Sequence, residues 1–155
     1  MARLILLGTK GGPAIRPRGP SPTANLLEVA GHVYVIDCGL GVTRGFVDAG
    51  YPLTRLETIL VTHHHSDHNL EIGNLFHTAW TAGLATPVHA YGPPGLAAMM
   101  HSFFEMNRFD IETRIDDEGR PDLRRLFTVT EYGEGLVLDD GRVRVTALRN
   151  NHPPI

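Results

Sequence analysis

The sequence predicts an α/β fold in one domain covering residues 1–155. Short apolar segments rich in β-branched residues alternate with segments of helical periodicity, and glycine- and proline-rich loops separate them. With 155 residues, of which 42% are hydrophobic, the chain can bury one sizeable core. Only 20% of the residues are charged, which disfavours a disordered tail. We find no internal repeat or linker that would indicate a second domain.

Hydrophobic periodicity places the strands and helices along the chain. Strands are predicted at residues 3–8, in two runs within 23–39 joined at Ala30 and Gly31, and at 57–62, 87–92, 126–132 and 142–150. Helices are predicted at residues 42–50, 67–84 and 93–109, the second with Ser66 or Asp67 as its N-cap. Residues 9–22 hold so many glycines and prolines that we expect a loop. The chain lacks the glycine-rich motifs of phosphate-binding loops, which argues against nucleotide binding.

Charge and composition restrict the partners and the compartment. The formal net charge is −3 and the fourteen Lys and Arg are spread along the chain, so nucleic acid is not favoured as a partner. The single cysteine, Cys38, excludes an internal disulfide and is expected to be a small buried residue and not a nucleophile. No apolar run approaches the roughly 20 residues of a membrane span. We therefore expect a cytoplasmic protein without a membrane partner.

The stretch LVTHHHSDHN, residues 60–69, follows a predicted strand and predicts a metal site. Alternation along a strand places His63 and His65 on one side and His64 on the other. Asp67 and His68, at the start of the next predicted helix, add a carboxylate and a third imidazole that can return to the same point. Imidazole and carboxylate suit Zn²⁺, Mn²⁺ or Fe²⁺, and a second cysteine for a thiolate site is missing.

These residues resemble a known family. THHHSDHN after an apolar strand, a hairpin ending in VIDCG and the N-terminal LGTKGG are similar to the metallo-β-lactamase superfamily, most of all to its ribonuclease Z and arylsulfatase-like branch. The resemblance implies an αββα sandwich of two similar halves, of which this sequence carries only the N-terminal half to two-thirds. One half leaves a sheet face without its partner. We therefore expect a C-terminally incomplete domain, a homodimer or a complementing second half.

The resemblance also implies the site residues. The implied metal ligands are His63, His65 and His152 for a first ion, and Asp67 and His68 for a second. The second pair also serves as the catalytic residues that orient the nucleophile. Asp37 resembles the acidic residue that supports the ligand loop from behind by hydrogen bonding.

The expected function is that of a metal-dependent hydrolase with a dinuclear zinc centre. Such a centre activates water and cleaves a phosphodiester, a sulfate ester or a lactone or amide bond in a small-molecule substrate. One alternative is ribonuclease Z-type processing of tRNA 3′ ends. A second alternative is a non-catalytic metal-binding half-domain that assembles with a partner or with itself. Near two ions per chain would favour the hydrolase, and one or none would favour the half-domain.

The histidines outside this cluster are predicted to have structural roles. They lie before a strand, within a strand or on predicted helices, where packing or surface positions are commoner than metal ligation. These residues are His32, His77, His89 and His101.

Overall fold

The fold is built on a six-stranded sheet, in a computed structural model that describes residues 1–152. Its strands lie side by side in chain order: β1 (Ala2–Gly8), β2 (Ala24–Val29), β3 (His32–Ile36), β4 (Thr58–Leu60), β5 (Val88–Gly92) and β6 (Phe127–Glu131). The first three strands pair antiparallel, and β3 to β6 pair parallel. The carboxyl ends of four strands therefore meet at one edge of the sheet, where ligands commonly bind in α/β folds.

Helices cover one face of this sheet. They are α1 (Val42–Asp48), α2 (Ser66–Asn69), α3 (Ile72–Thr81), α4 (Leu96–Met106) and α5 (Arg108–Glu118), with 3₁₀ turns at Leu53–Arg55 and Leu123–Arg125. Large helical side chains such as Phe46, Trp80 and Met100 pack against the strand residues Val35 and Ile59. None of the helices within residues 1–152 is both long and apolar enough to cross a membrane.

The opposite face of the sheet is only partly covered. A hairpin of β7 (Gly135–Asp139) and β8 (Arg144–Ala147) belongs to a separate two-stranded sheet. Its turn is tied to β3, because the Tyr34 hydroxyl donates to Asp140 at 2.5 Å and Arg142 bonds to both. Leu4 and Leu6 on β1, whose neighbours Ile5 and Leu7 pack into the core, remain 59% and 61% exposed. One apolar face therefore lacks the cover that the helices give the other.

Several element boundaries differ from the sequence predictions. The predicted helix 67–84 is divided into α2 and α3. The N-cap of α2 is His65 and not Ser66 or Asp67, and the His65 side chain makes no capping hydrogen bond. At this break the Glu71 carboxylate accepts hydrogen bonds from the Gly41 and Thr43 amides and so caps α1. The strand predicted at 57–62 is confined to Thr58–Leu60.

Helix α5 and strand β7 were missed by the sequence patterns. The predicted helix 93–109 starts at Leu96 and ends at Met106, and a second helix begins directly after Asn107. Ile111 is the one fully buried residue of α5, so its sequence has a weak apolar stripe. Strand β7 has no fully buried residue, and its periodicity is correspondingly weak.

Candidate metal centre

The loop between β4 and α2 carries the histidine cluster at the carboxyl edge of the sheet. The Val61 amide donates to the Tyr91 carbonyl at 2.7 Å, and the Val61 carbonyl accepts from the Tyr132 hydroxyl at 2.7 Å. These bonds fix the start of the loop against β5 and the end of β6. Because β4 ends at Leu60, strand alternation does not govern the histidines that follow.

Three imidazoles converge beyond this point. One ring nitrogen from each of His63, His65 and His152 lies within 4.8 Å of the others. Within the loop, His63 Nε2 is 3.2 Å from His65 Nδ1. Burial, followed by the charge of nearby His68, lowers the pKa of His63, so its ring is neutral at neutral pH. Converging imidazole nitrogens are ligands for Zn²⁺ and similar ions.

Asp37 lies behind the cluster at the end of β3. It is 2% exposed and has a positive φ of 63°, a conformation uncommon outside glycine. Its Oδ1 accepts from the Thr62 amide at 2.8 Å and the Thr62 hydroxyl at 2.9 Å, and its Oδ2 lies 2.7 Å from His68 Nδ1. The Asp37 carboxylate therefore accepts a hydrogen bond from His68 Nδ1, so that Nε2 of His68 carries no hydrogen and can serve as a ligand. This contact joins β3 to both ends of the ligand loop.

Asp67 and His68 lie beside the three imidazoles. His68 Nε2 is 3.5 Å from Asp67 Oδ2, and the ring centroids of His68 and His63 are 4.0 Å apart. The Gly12 amide donates to Asp67 Oδ2 at 2.5 Å. Burial acts to raise the pKa of Asp67, but the backbone amides of Gly12 and Asp67 and the nearby histidines outweigh it and lower the pKa. The carboxylate is therefore ionised at neutral pH.

The bond from Gly12 gives the loop of residues 9–22 a role that sequence patterns did not predict. Composition indicated only an irregular segment, although its LGTKGG start formed part of the family resemblance. The loop is held at its ends, since the Lys10 amide donates to the Ser21 carbonyl at 3.0 Å. Its first turn therefore forms one wall of the candidate centre.

The turn after β3 packs directly against the ligand loop. The Cys38 amide donates to the His68 carbonyl at 2.5 Å, and the Glu71 amide donates to the Cys38 carbonyl at 2.9 Å. A Cβ on Gly39 would lie 2.3 Å from the Asp67 carbonyl oxygen, so this contact requires glycine. The Cys38 side chain is fully buried, and burial raises the pKa of its thiol well above the usual value.

The other histidines are engaged elsewhere. His64, in the same loop, bonds to the Pro94 carbonyl and to Asn69 and is not part of the converging group. Outside the loop, the contacts are His32 with Glu57 at 2.7 Å, His77 with Asp110 at 2.9 Å and His89 with Thr128 at 2.6 Å. His101 is exposed on α4.

A cleft of about 910 Å³ lies between the uncovered sheet face and the β7–β8 hairpin, and His63 and His152 are among its lining residues. Apolar side chains from both sheets form much of the wall: Leu27, Ile36, Leu60, Val137, Val143 and Val145. Tyr132 also lines it, and burial raises the pKa of its hydroxyl. The imidazole cluster therefore borders a concave, largely apolar space.

The sequence of residues 18–153 matches the family model of the metallo-beta-lactamase superfamily. The chain belongs to the metallo-beta-lactamase superfamily. Ribonuclease Z of Mycobacterium marinum is 32% identical over 158 aligned positions, which cover all of this chain and 56% of that protein. The chain thus spans about half the length of the curated relatives it matches.

Solved structures show the same superfamily fold. The metallo-beta-lactamase fold protein YhfI from Bacillus subtilis aligns with a TM-score of 0.68 at 19% identity, covering 99% of this chain and 54% of YhfI. The short form of human tRNase Z aligns with a TM-score of 0.66 at 24% identity, covering 84% of this chain and 44% of that protein. The predicted fold class is confirmed, and the chain spans about half the length of each of these two proteins. Members of this superfamily normally bind divalent metal ions, in keeping with the histidine cluster.

Proposed function

We propose that this chain carries the metal centre of a zinc-dependent hydrolase that cleaves a phosphodiester bond. The observation that supports this most is the convergence of nitrogens from His63, His65 and His152 within 4.8 Å. Asp67 and His68 lie beside this group and would hold a second ion. The phosphodiester, among the ester-type substrates open to such a centre, is favoured by relatives named ribonuclease Z.

The residues present fit zinc. Neutral imidazole and carboxylate are its usual ligands where thiolates are missing, and Mn²⁺ or Fe²⁺ can use the same donors. The low pKa of His63 leaves its nitrogen unprotonated, and the lowered pKa of Asp67 leaves its carboxylate charged. When bound, such ions activate water and polarise the ester oxygen.

The chain's own groups prepare the site. Asp37 holds His68 in one tautomer, with Nδ1 donating and Nε2 directed to the centre. Gly12 fixes one oxygen of Asp67, so that the charged carboxylate would be presented to the second ion at a defined place. The apolar cleft beside the cluster lowers the local dielectric and strengthens these interactions.

Metal content and hydrolysis test this proposal together. The purified protein is expected to hold close to two zinc ions per chain and to hydrolyse bis(p-nitrophenyl) phosphate. The His63→Ala variant should lose at least one ion and most of that activity, on the order of 100-fold, because it removes a ligand. His101→Ala, which changes an exposed histidine, is the matched control. Unchanged zinc content in His63→Ala would show that the first-ion assignment is wrong.

Parallel assays separate the bond types. Activity on p-nitrophenyl sulfate or on a β-lactam chromogen that exceeds activity on the phosphodiester would reject the proposed substrate class. It would leave the metal centre in place. The ratio of kcat/KM values is the deciding quantity.

A second candidate is ribonuclease Z-type processing of tRNA 3′ ends. Relatives of that name align over this whole chain at 30–33% identity. The net charge of −3 opposes strong electrostatic attraction to RNA. A radiolabelled tRNA precursor decides between them: release of its 3′ trailer at a higher kcat/KM than the small diester would favour the processing role.

Assembly is a third proposal, supported by the partly covered sheet face. Leu4 and Leu6 expose apolar surface there, and an unpaired sheet face needs a second layer. We infer that a second sheet, from another copy or from a complementing chain segment, covers it. Light scattering after size-exclusion chromatography is expected to show a dimer. A stable monomer with a cooperative melt would contradict this expectation, and a zinc content of one or none would favour a non-catalytic half-domain.

A further inference from the structure

We propose that His64 is a positioning residue that ties the metal-ligand loop to the turn between β5 and α4. The inference rests on the proposed metal centre. It concerns a side chain that lies between two candidate ligands and is not itself one of them.

The hydrogen bonds of His64 define its tautomer. Its Nε2 lies 3.1 Å from the Pro94 carbonyl, which can only accept, so Nε2 carries the hydrogen. Its Nδ1 then accepts from the Asn69 side-chain amide at 3.1 Å. Both ring nitrogens of His64 are therefore occupied in a neutral imidazole, and neither is available to a metal ion.

The turn that receives this bond is itself fixed. Gly95 has a φ of 105°, and its amide donates to Glu131 Oε1 at 2.9 Å, while the Ala97 amide donates to the same oxygen at 3.0 Å. The carboxylate at the end of β6 thus holds the start of α4. A Cβ on Gly95 would lie 3.4 Å from His64 Nε2, so the imidazole packs closely over this turn.

The second hydrogen bond of His64 connects it to Asn69 at the end of α2. Asn69 is 6% exposed, and its amide nitrogen also lies 3.7 Å from the Met99 sulfur on α4. The bond between His64 and Asn69 therefore joins the ligand loop to the end of α2, and Asn69 also contacts α4. A polar pair held this way has few alternative rotamers.

The hydrogen bonds of His64 affect the candidate centre because they lie between the two anchored ends of the ligand loop. Val61 and Thr62 are anchored by β5, Tyr132 and Asp37, and His68 by Asp37. His64 supplies an anchor between these ends, directly next to His63 and His65. Losing it would let the two candidate ligands rotate with a loop that has no strand register.

Cobalt provides a readout that does not depend on hydrolysis. Co²⁺ is added to metal-free protein, and its visible absorption reports the ligand geometry, while competition titration gives the Zn²⁺ affinity. The variants are His64→Leu, which removes both hydrogen bonds, and His64→Gln, whose amide can reach the Pro94 carbonyl. His64→Asn is too short to reach it, and His101→Leu is the matched surface control.

The expected result is a Zn²⁺ affinity about 10- to 100-fold weaker in His64→Leu, with an altered Co²⁺ spectrum and unchanged circular dichroism. His64→Gln should retain more affinity than His64→Asn, and His101→Leu should match the wild type. Wild-type affinity and spectrum in His64→Leu would overturn the inference. If that variant does not fold, an affinity of His64→Asn equal to or above that of His64→Gln would overturn it instead. A wild-type protein that binds no Co²⁺ would reject the proposed metal centre itself.

Discussion

The two sides of the candidate centre differ in how deeply they are buried. On one side, Asp37 is buried and bonds to Thr62 and His68, and Gly12 and Gly39 contact Asp67. On the other side, His152 is exposed, and its ring centroid lies 4.7 Å from that of His63. The first side is buried in the folded chain, whereas the second is contributed by one exposed residue far along the chain.

Because of this difference, substitutions on the two sides should have different effects on the stability of the metal-free fold and on the affinity for metal. Residues on the buried side serve the folded chain before any ion binds, so changing them should lower both the free energy of unfolding and the affinity. An exposed ligand contributes to affinity with little effect on the metal-free fold. Three substitutions and one pH series test this distinction, from the largest expected effect to the smallest.

Asp37→Ala is expected to have the largest effect. It leaves the Thr62 amide and His68 Nδ1 without their buried acceptor, at about 1–3 kcal/mol for each group. Urea unfolding of the metal-free protein should show a loss of about 2–5 kcal/mol, and Zn²⁺ affinity should fall about 10- to 100-fold. Asp37→Asn, which keeps an oxygen acceptor and tolerates positive φ, should lose less. Equal losses in the two variants would contradict this account.

Gly39→Ala is expected to follow. Its new Cβ would meet the Asp67 carbonyl oxygen at 2.3 Å, and a backbone atom cannot move aside as a flexible side chain can. Overpacking of this kind costs about 1–3 kcal/mol. Gly133→Ala is the matched control, because no atom lies within 4 Å of its added Cβ. The midpoint of urea unfolding measures both, and a similar shift in the two variants would show that the contact at Gly39 is not tight.

His152→Ala should change metal affinity without changing the metal-free fold. The residue is exposed, so the free energy of unfolding should stay within about 0.5 kcal/mol of the wild type. Calorimetric titration should show Zn²⁺ binding weakened by an order of magnitude or more, because one of three imidazoles is lost. Strong destabilisation of the metal-free protein by His152→Ala would contradict the expectation that the two sides differ in their effect on folding.

The pH dependence of stability gives the smallest effect. Burial and the charge of His68 lower the pKa of His63 below the ordinary histidine value of about 6.5, so the unfolded chain binds this proton more readily than the folded chain. The stabilising contribution is complete above pH 6.5 and is lost as the pH falls through the folded pKa. Urea unfolding of metal-free protein at pH 7.5 and 5.5 should show a steeper decline in the wild type than in His63→Gln. Equal declines would contradict the assignment, and His101→Gln serves as the control.

The sequence carried enough information for the fold class and for the members of the histidine cluster. A run of β-branched residues followed by THHHSDHN marks a strand end, and the family resemblance supplied His152, which lies 84 positions after His68. The grouping of His63 with His65 agrees with the structure for a different reason from the one that predicted it. The strand ends at Leu60, and hydrogen bonds of the loop, not strand alternation, direct these side chains.

Other features were beyond reach because they depend on contacts between distant segments. The helix breaks at Leu70 and Glu71, where the Glu71 carboxylate bonds across 30 positions to the Gly41 amide at the start of α1. The bond from Gly12 to Asp67 spans 55 positions. It places the loop of residues 9–22 beside the candidate centre, whereas composition predicted only that this segment is irregular. Helix α5 fully buries Ile111 alone, so its sequence offers little of the apolar periodicity from which a helix is predicted.

The buried thiol of Cys38 has a practical consequence for metal measurements. Thiol reductants bind zinc and distort titrations, yet they are routinely added to protect exposed cysteines. Here the chain's one sulfhydryl is fully enclosed beneath the β3 turn, and its raised pKa keeps it protonated. Zinc and cobalt affinities of the folded protein can therefore be determined in buffers free of competing chelators, with the thiol unreactive toward Ellman's reagent as the check on integrity.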